Sequence, residues 1–220
     1  LPVQLIIKKS FIIFLFIISL FNSDKSYSTP NNIDDYGIIA LMYHRFEENK
    51  YPSTNIRVND FKMHLNLIKK DGFNFVNPKN FKEDLKNKKN KKKILLTVDD
   101  GFSSFYENAW PILKSDKIPF ILFVSTREVG KNGYMSWNQI KEIAKEDFVH
   151  IGNHSHSHEY LADRDSEEIL KDLEKSITIF KKNLGYNSHF FSYPFGEYRL
   201  SFKKIVKDLN FKFAFGQHSG

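Results

Sequence analysis

Two short stretches of this chain hold side chains that bind metal ions and move protons. The first is Leu96-Thr97-Val98-Asp99-Asp100-Gly101-Phe102, where an apolar run ends in two adjacent acids and a glycine. The second is Gly152-Asn153-His154-Ser155-His156-Ser157-His158, again at the end of an apolar run. His154 and His158 stand four apart, so on a helical turn both rings would face one way. In extended chain His154, His156 and His158 would share a face instead. Taken singly, an Asp-Gly turn and a histidine-rich loop are ordinary surface features. Together, two imidazoles and a carboxylate in a chain without cysteine make a nitrogen and oxygen ligand set. Such a set suits Zn²⁺ with an open position for water. It also serves non-haem Fe(II) oxygenases. The second acid favours hydrolysis: one carboxylate of the pair coordinates while its neighbour takes a proton from water.

Both stretches need elements to hold them. Compact runs rich in Ile, Val, Phe or Leu lie at 38–43, 73–76, 94–98, 120–124, 148–151, 190–193 and 211–215. They read as strands buried on both faces. Helical spacing lies between them. Phe61, Leu65 and Ile68 form one stripe, with Gly72 where a helix would stop. Asp165 and Glu168 form a capping box, followed by the stripe Ile169, Leu173, Ile177, Phe180 and Leu184. Alternating strands and helices predict an α/β fold with a parallel sheet. In such folds ligands bind at the carboxyl ends of strands, which is where both stretches fall. Seven strands could close a barrel, and an open doubly wound sheet is the rival that periodicity does not separate from it. Trp110 and Trp137 read as core or cleft-wall residues.

The chain has 220 residues, 41% of them hydrophobic, enough for one domain with a proper core. The absence of cysteine excludes disulfides, thiolate metal sites and a cysteine nucleophile. The formal charge is +7, but six lysines fall between residues 86 and 93. That tract reads as a solvated loop before a strand, and no nucleic-acid-binding module accompanies it. Lys8 and Lys9 precede an apolar run from Phe11 to Leu20, and Ser26-Tyr27-Ser28 offers a small-x-small cleavage site. These features mark residues 1–28 as a signal peptide, or as an N-terminal anchor through residues 8–21 if uncleaved. The run is short for a membrane span. Residues 29–36 form a polar linker, and residues 37–220 the domain. The protein is therefore expected outside the cytoplasm, periplasmic or extracellular, with membrane contact only through the N-terminal segment. Leu1 in place of Met and the abrupt stop at Gly220 read as a fragment.

Thr97-Val98-Asp99-Asp100-Gly101 and His154-Ser155-His156-Ser157-His158 resemble the first two motifs of the polysaccharide deacetylase family, carbohydrate esterase family 4. Met42-Tyr43-His44-Arg45-Phe46 and Phe191-Ser192-Tyr193-Pro194-Phe195-Gly196 extend the resemblance from about residue 37 to the end. With them the pattern most resembles the poly-N-acetylglucosamine deacetylase branch. The resemblance implies a distorted (β/α)7 barrel, here incomplete at the C-terminus. It implies Asp99 as general base, and Asp100, His154 and His158 as ligands of a divalent metal, with Zn²⁺ the expected ion. His156 would then be a neighbour whose ring points elsewhere. Tyr193, Pro194 and Phe195 would line the substrate cleft, with the Phe195 N–H helping to hold the oxyanion. Most of the family carries an arginine at the position of Ser192, and that arginine orients the catalytic acid. Its absence leaves the support of Asp99 without an obvious source.

The implied reaction is removal of N-acetyl groups from a polysaccharide of N-acetylglucosamine type. A metal polarises the acetyl carbonyl and acidifies water, Asp99 takes the proton, and a histidine protonates the leaving amine. His44, in the early Tyr-His motif, is the expected general acid, and His218 is the rival late in the chain. Two other functions fit the same residues: an esterase acting on O-acetylated sugars, and a silent carbohydrate-binding module. Intact Asp99 and metal ligands argue against the silent module.

Overall fold

The computed structural model describes residues 37–87, 89 and 92–217. The expected signal or anchor, the linker and His218 lie outside the described residues. All seven expected strands form: β1 (Ile39–Tyr43), β4 (Asn74–Phe75), β5 (Lys93–Val98), β6 (Phe120–Val124), β7 (Val149–Asn153), β8 (Phe190–Ser192) and β9 (Phe213–Phe215). Two short strands were not expected, β2 (Arg45–Phe46) and β3 (Asn55–Ile56), which pair with each other. Among the described residues six α-helices occupy the connections: α1 (Val58–Lys70), α2 (Phe81–Lys86), α3 (Trp110–Ser115), α4 (Trp137–Ile143), α5 (Ser166–Leu184) and α6 (Leu200–Asp208).

Every pairing in the seven-stranded sheet is parallel, and from β5 to β9 each strand neighbours the next in sequence. A doubly wound sheet reverses its strand order about a switch point. This order does not, and it decides for the barrel type. Among the described residues β9 does not pair with β1, so the sheet is a curled half-barrel. The curl is plain from side chains: Met42 of β1 and Phe215 of β9, at opposite ends of the strand order, line one cleft.

β5 and β6 are buried along their whole length, as continuous apolar runs require when helices cover both faces. Phe61, Leu65 and Ile68 of α1 pack inward, and the helix stops before Gly72, whose φ is +74°. α5 opens on the expected capping box, with Asp165 and Glu168 each accepting from the other's backbone N–H. Its Ile169, Leu173 and Phe180 are wholly buried, each contributing roughly 1.5–3 kcal/mol to stability. Trp110 is a core residue, and Trp137 packs edge-on against Phe180. This frame leaves the carboxyl ends of β1, β5, β7 and β8 around one opening.

Candidate active site

β5 delivers the acid pair. The Asp99 N–H donates to the Tyr43 carbonyl at 2.9 Å, carrying the β1–β5 pairing one residue past the strand. The chain then turns through two positive φ values, +74° at Asp100 and +77° at Gly101. Aspartate tolerates that region better than most residues, and glycine freely. The turn leaves both carboxylates at the strand mouth.

β7 delivers the histidines, on a loop that is neither the helical turn nor the extended chain that spacing suggested. Ser155 and His158 have φ of +68° and +53°. Such a loop needs outside partners for its backbone groups, and most come from α5 and its own side chains. Asp172 accepts from the N–H groups of His156 at 2.7 Å and Ser157 at 3.0 Å. Asn153 accepts from Ser155 N–H at 2.9 Å and donates to the Ser176 hydroxyl at 2.8 Å. The Ser125 hydroxyl donates to the His154 carbonyl at 2.7 Å.

The result brings three ligand atoms together. His158 Nε2 lies 3.0 Å and His154 Nε2 3.4 Å from Asp100 Oδ1, with ligand atoms of the three residues all within 4.8 Å of one another. His156 turns away, its Nδ1 2.8 Å from Thr126 Oγ1. His154 Nδ1 lies 2.7 Å from the Ser192 carbonyl, which can only accept, so Nδ1 carries the hydrogen. In a neutral ring Nε2 then presents a lone pair toward the lone pairs of Asp100 Oδ1, which is buried without a committed donor. A proton or a cation must sit between them. The backbone carbonyl behind His154 is the kind of outer partner that metal-ligating histidines have. The residues present fit a divalent metal.

The same demand for positive charge appears in the acid–base behaviour. Burial pushes Asp100 upward, but the hydrogen bonds and charges of His154 and His158 outweigh it and hold the carboxyl well below the usual range. Burial also opposes charge on His154, and Asp100 and Asp99 nevertheless raise its pKa. Asp99 differs from its neighbour. Burial raises it, and the opposing charges of His154 and His44 do not cancel that effect. Two adjacent carboxyls are thus driven in opposite directions by their surroundings.

Ser192 supplies what the missing arginine left open. Its hydroxyl donates to Asp99 Oδ2 at 2.8 Å, leaving Oδ1 buried and without a hydrogen-bond partner. Asp99 Oδ2 is 3.8 Å from His154 Nε2. His44 lines the same cleft, in the one-residue gap between β1 and Arg45 of β2. The Arg45 guanidinium lies over the rings of Phe102 and Tyr51 and bonds Glu48 at 2.8 Å. Of the segment expected to line the cleft, Tyr193 and Phe195 reach it, while Pro194 between them is buried. The Tyr193 ring is largely buried against Phe191 and Phe202. Gly196 (φ +71°) is required there, because a Cβ would lie 2.1 Å from Gln217 of the β9 loop. The cleft holds about 720 Å³, and Ser53 to Ile56 form a wall that no sequence signal had marked. Asn153, Asp172 and Ser176 also went unmarked. Ser176, a serine beside the apolar stripe of α5, was the available hint.

The sequence profile of the polysaccharide deacetylase family matches residues 86–214. The chain belongs to the polysaccharide deacetylase family. A putative polysaccharide deacetylase of Bacillus subtilis, YxkH, is 25% identical over 160 residues, covering 72% of this chain and 56% of its own length. The poly-beta-1,6-N-acetyl-D-glucosamine N-deacetylase of Staphylococcus aureus (strain MSSA476) is 24% identical, covering 88% of this chain and 77% of that relative. The chain thus spans little more than half of the Bacillus relative. Among solved structures, IcaB from Ammonifex degensii superposes with a TM-score of 0.74 at 26% identity, covering 84% of this chain and 92% of that one. The Streptococcus pyogenes deacetylase PplD, solved with acetate, gives a TM-score of 0.74 at 26% identity, covering 83% and 84%. The chain shares its fold with both solved structures, and the resemblance to the poly-N-acetylglucosamine branch holds.

Proposed function

We propose that this protein removes N-acetyl groups from a polysaccharide of N-acetylglucosamine type, with Asp100, His154 and His158 holding the metal. One observation carries the reading: a buried carboxylate, Asp99, stands beside the three converging ligand atoms with one oxygen tied and the other uncommitted. The name of the Staphylococcus relative points to the same polymer. Zinc is the ion we favour, since two imidazoles and one carboxylate with an open position are its usual hydrolytic set. When bound, such an ion polarises the acetyl carbonyl and makes water more acidic.

The protein's own residues do the rest. Asp99 Oδ1 takes the proton of the attacking water, and burial makes that carboxylate a stronger base than an exposed one. Ser192 keeps Asp99 Oδ2 from rotating into the cleft. The Phe195 N–H donates to the developing oxyanion, a contact worth roughly 3 kcal/mol in other hydrolases. His44 gives a proton to the amine, which otherwise leaves poorly. Residues 1–28 direct the domain out of the cytoplasm. No helix among the described residues is long and apolar enough to cross a membrane.

The test is acetate release from N-acetylglucosamine oligomers, O-acetyl-xylan and peptidoglycan, with and without chelator. Chelator-sensitive release from the oligomers, abolished by Asp99→Asn with metal retained, is the expected result. Release from O-acetyl-xylan alone would make the protein an esterase, and no release from any substrate would leave a binding module.

A further inference from the structure

Ser53, Thr54, Asn55 and Ile56 line the cleft together with His44. β2 and β3 place them there, since the two strands run parallel with Arg45 level with Asn55, one residue past His44. The ribbon is firmly held. The Arg45 N–H donates to the Thr54 carbonyl at 3.0 Å and the Glu47 N–H to the Ile56 carbonyl at 3.1 Å, so the backbone is tied on both sides of Asn55. Phe46 is wholly buried, and its N–H donates to the Ser104 hydroxyl oxygen at 3.2 Å. A polar group on such a support is in place before a ligand arrives and loses little freedom on binding.

Asn55 is the polar group with capacity to spare. The Glu48 N–H donates to Asn55 Oδ1 at 2.7 Å. A backbone N–H can only donate, so the amide oxygen faces Glu48 and Nδ2 lies on the other side of the planar group. That nitrogen carries two N–H donors, and among the described residues neither has an acceptor. Aspartate would serve the Glu48 N–H equally well. Asparagine adds two donors to a residue of the cleft wall. Apart from the acid pair and the histidines of the site, the residues lining this cleft are uncharged, which suits an uncharged ligand rich in oxygen acceptors.

We infer that Asn55 determines specificity by donating from Nδ2 to a hydroxyl oxygen of the pyranose whose acetamido group lies at the metal cluster. The inference rests on the deacetylase reading and adds what the site requires of its substrate, a sugar and not only an acetyl group. In that reading the acetamido oxygen is engaged by the metal and the Phe195 N–H, while His44 faces the nitrogen. The acceptors left on the His44 side are the hydroxyls on the ring carbons beside the acetamido group. A site built to hydrogen-bond a hydroxyl discriminates against an analogue without one, because its own polar group then goes unpaired.

The test compares wild type with Asn55→Ala, both zinc-loaded, on the N-acetylglucosamine trimer and on an aryl acetate, which has no sugar. The kcat/KM for the trimer, divided by that for the aryl acetate, falls about 3- to 10-fold in the variant, the loss expected of one uncharged hydrogen bond. A purely structural role would lower both substrates together, and an unchanged ratio would overturn the assignment. A second measurement needs no turnover. The side-chain amide signal of Asn55, followed by nuclear magnetic resonance in isotope-labelled Asp99→Asn, moves when the trimer is added and not when acetate is added. A signal that the trimer leaves in place, or that acetate moves as far, would overturn the contact even if Asn55→Ala did not fold. Absent acetate release from wild type would overturn the deacetylase reading instead, and the amide signal would still decide whether Asn55 meets the sugar.

Discussion

Ser192 donates its hydroxyl hydrogen to Asp99 Oδ2 across 2.8 Å, joining residues 93 positions apart in the chain. The same residue's carbonyl receives the hydrogen of His154 Nδ1 at 2.7 Å, so β8 holds a carboxylate through a side chain and an imidazole through the backbone. The two contacts separate under mutation. Ser192→Ala removes the first and spares the second. A hydrogen bond to a charged group is worth about 1.5–3 kcal/mol. The expected result is a fall in kcat of roughly 10- to 100-fold with zinc content unchanged, and Ser192→Thr restores most of it. Since the Ser192 bond lowers the pKa of Asp99, its loss should also move the acid limb of the kcat–pH profile upward. A kcat within twofold of wild type in Ser192→Ala would show that turnover does not depend on the hydroxyl's bond to Asp99.

The histidine loop predicts an unequal response among neighbouring residues. His158→Ala should lose the metal, because its Nε2 lies 3.0 Å from Asp100 Oδ1. His156→Ala should keep it, since that ring is directed at Thr126. Asp172→Ala touches no ligand side chain, yet it strips two backbone N–H partners from the loop. It should weaken metal affinity by about 10- to 100-fold, the usual effect of losing an outer-shell support. Metal analysis after titration with a chelator of known affinity ranks the three variants. An empty site in His156→Ala beside a full one in His158→Ala would reverse the ligand assignment.

His44 separates amide from ester chemistry. A general acid contributes typically 10²–10⁴-fold, and an amine needs it far more than an aryl oxide does. His44→Ala should keep its metal, lose deacetylation of N-acetyl sugars by about that factor, and retain activity on an aryl acetate. Parallel losses on both substrates would assign His44 to positioning.

His150 predicts a pH effect away from the cleft. Burial, with the nearby charge of His189, lowers its pKa from 6.5 to about 4, and its Nε2 lies 3.0 Å from the Ser188 hydroxyl. Between those values the unfolded chain binds a proton that the folded chain refuses. Stability is therefore full above pH 6.5 and declines as the pH falls toward 4, by roughly 3 kcal/mol at most. His150→Gln, which can keep a partner for Ser188, should flatten that decline in urea unfolding measured at pH 7 and pH 5. An equally steep acid loss in the variant would place its origin in another group.

The strands, the two longest helices and the ligand types were legible in the sequence because each depends on near neighbours along the chain. An apolar run such as Leu95 to Val98 must be buried whatever surrounds it, and Asp165 with Glu168 caps α5 through contacts three residues apart. Ser136 with Gln139 carries the same capping signal and starts α4, which apolar spacing did not reveal. β2 and β3, two residues each, are too short to show a period. The rest was decided in three dimensions. His154 and His158 meet through a loop with two positive φ values that α5 holds by Asp172, and spacing along the chain does not encode that partner. The support of Asp99 by Ser192 exists only because the half-barrel brings the ends of β5 and β8 together, although the two strands are not neighbours in the sheet. Residue type is a property of one position, whereas a shared proton or a shared lone pair belongs to two positions that only the folded sheet makes adjacent.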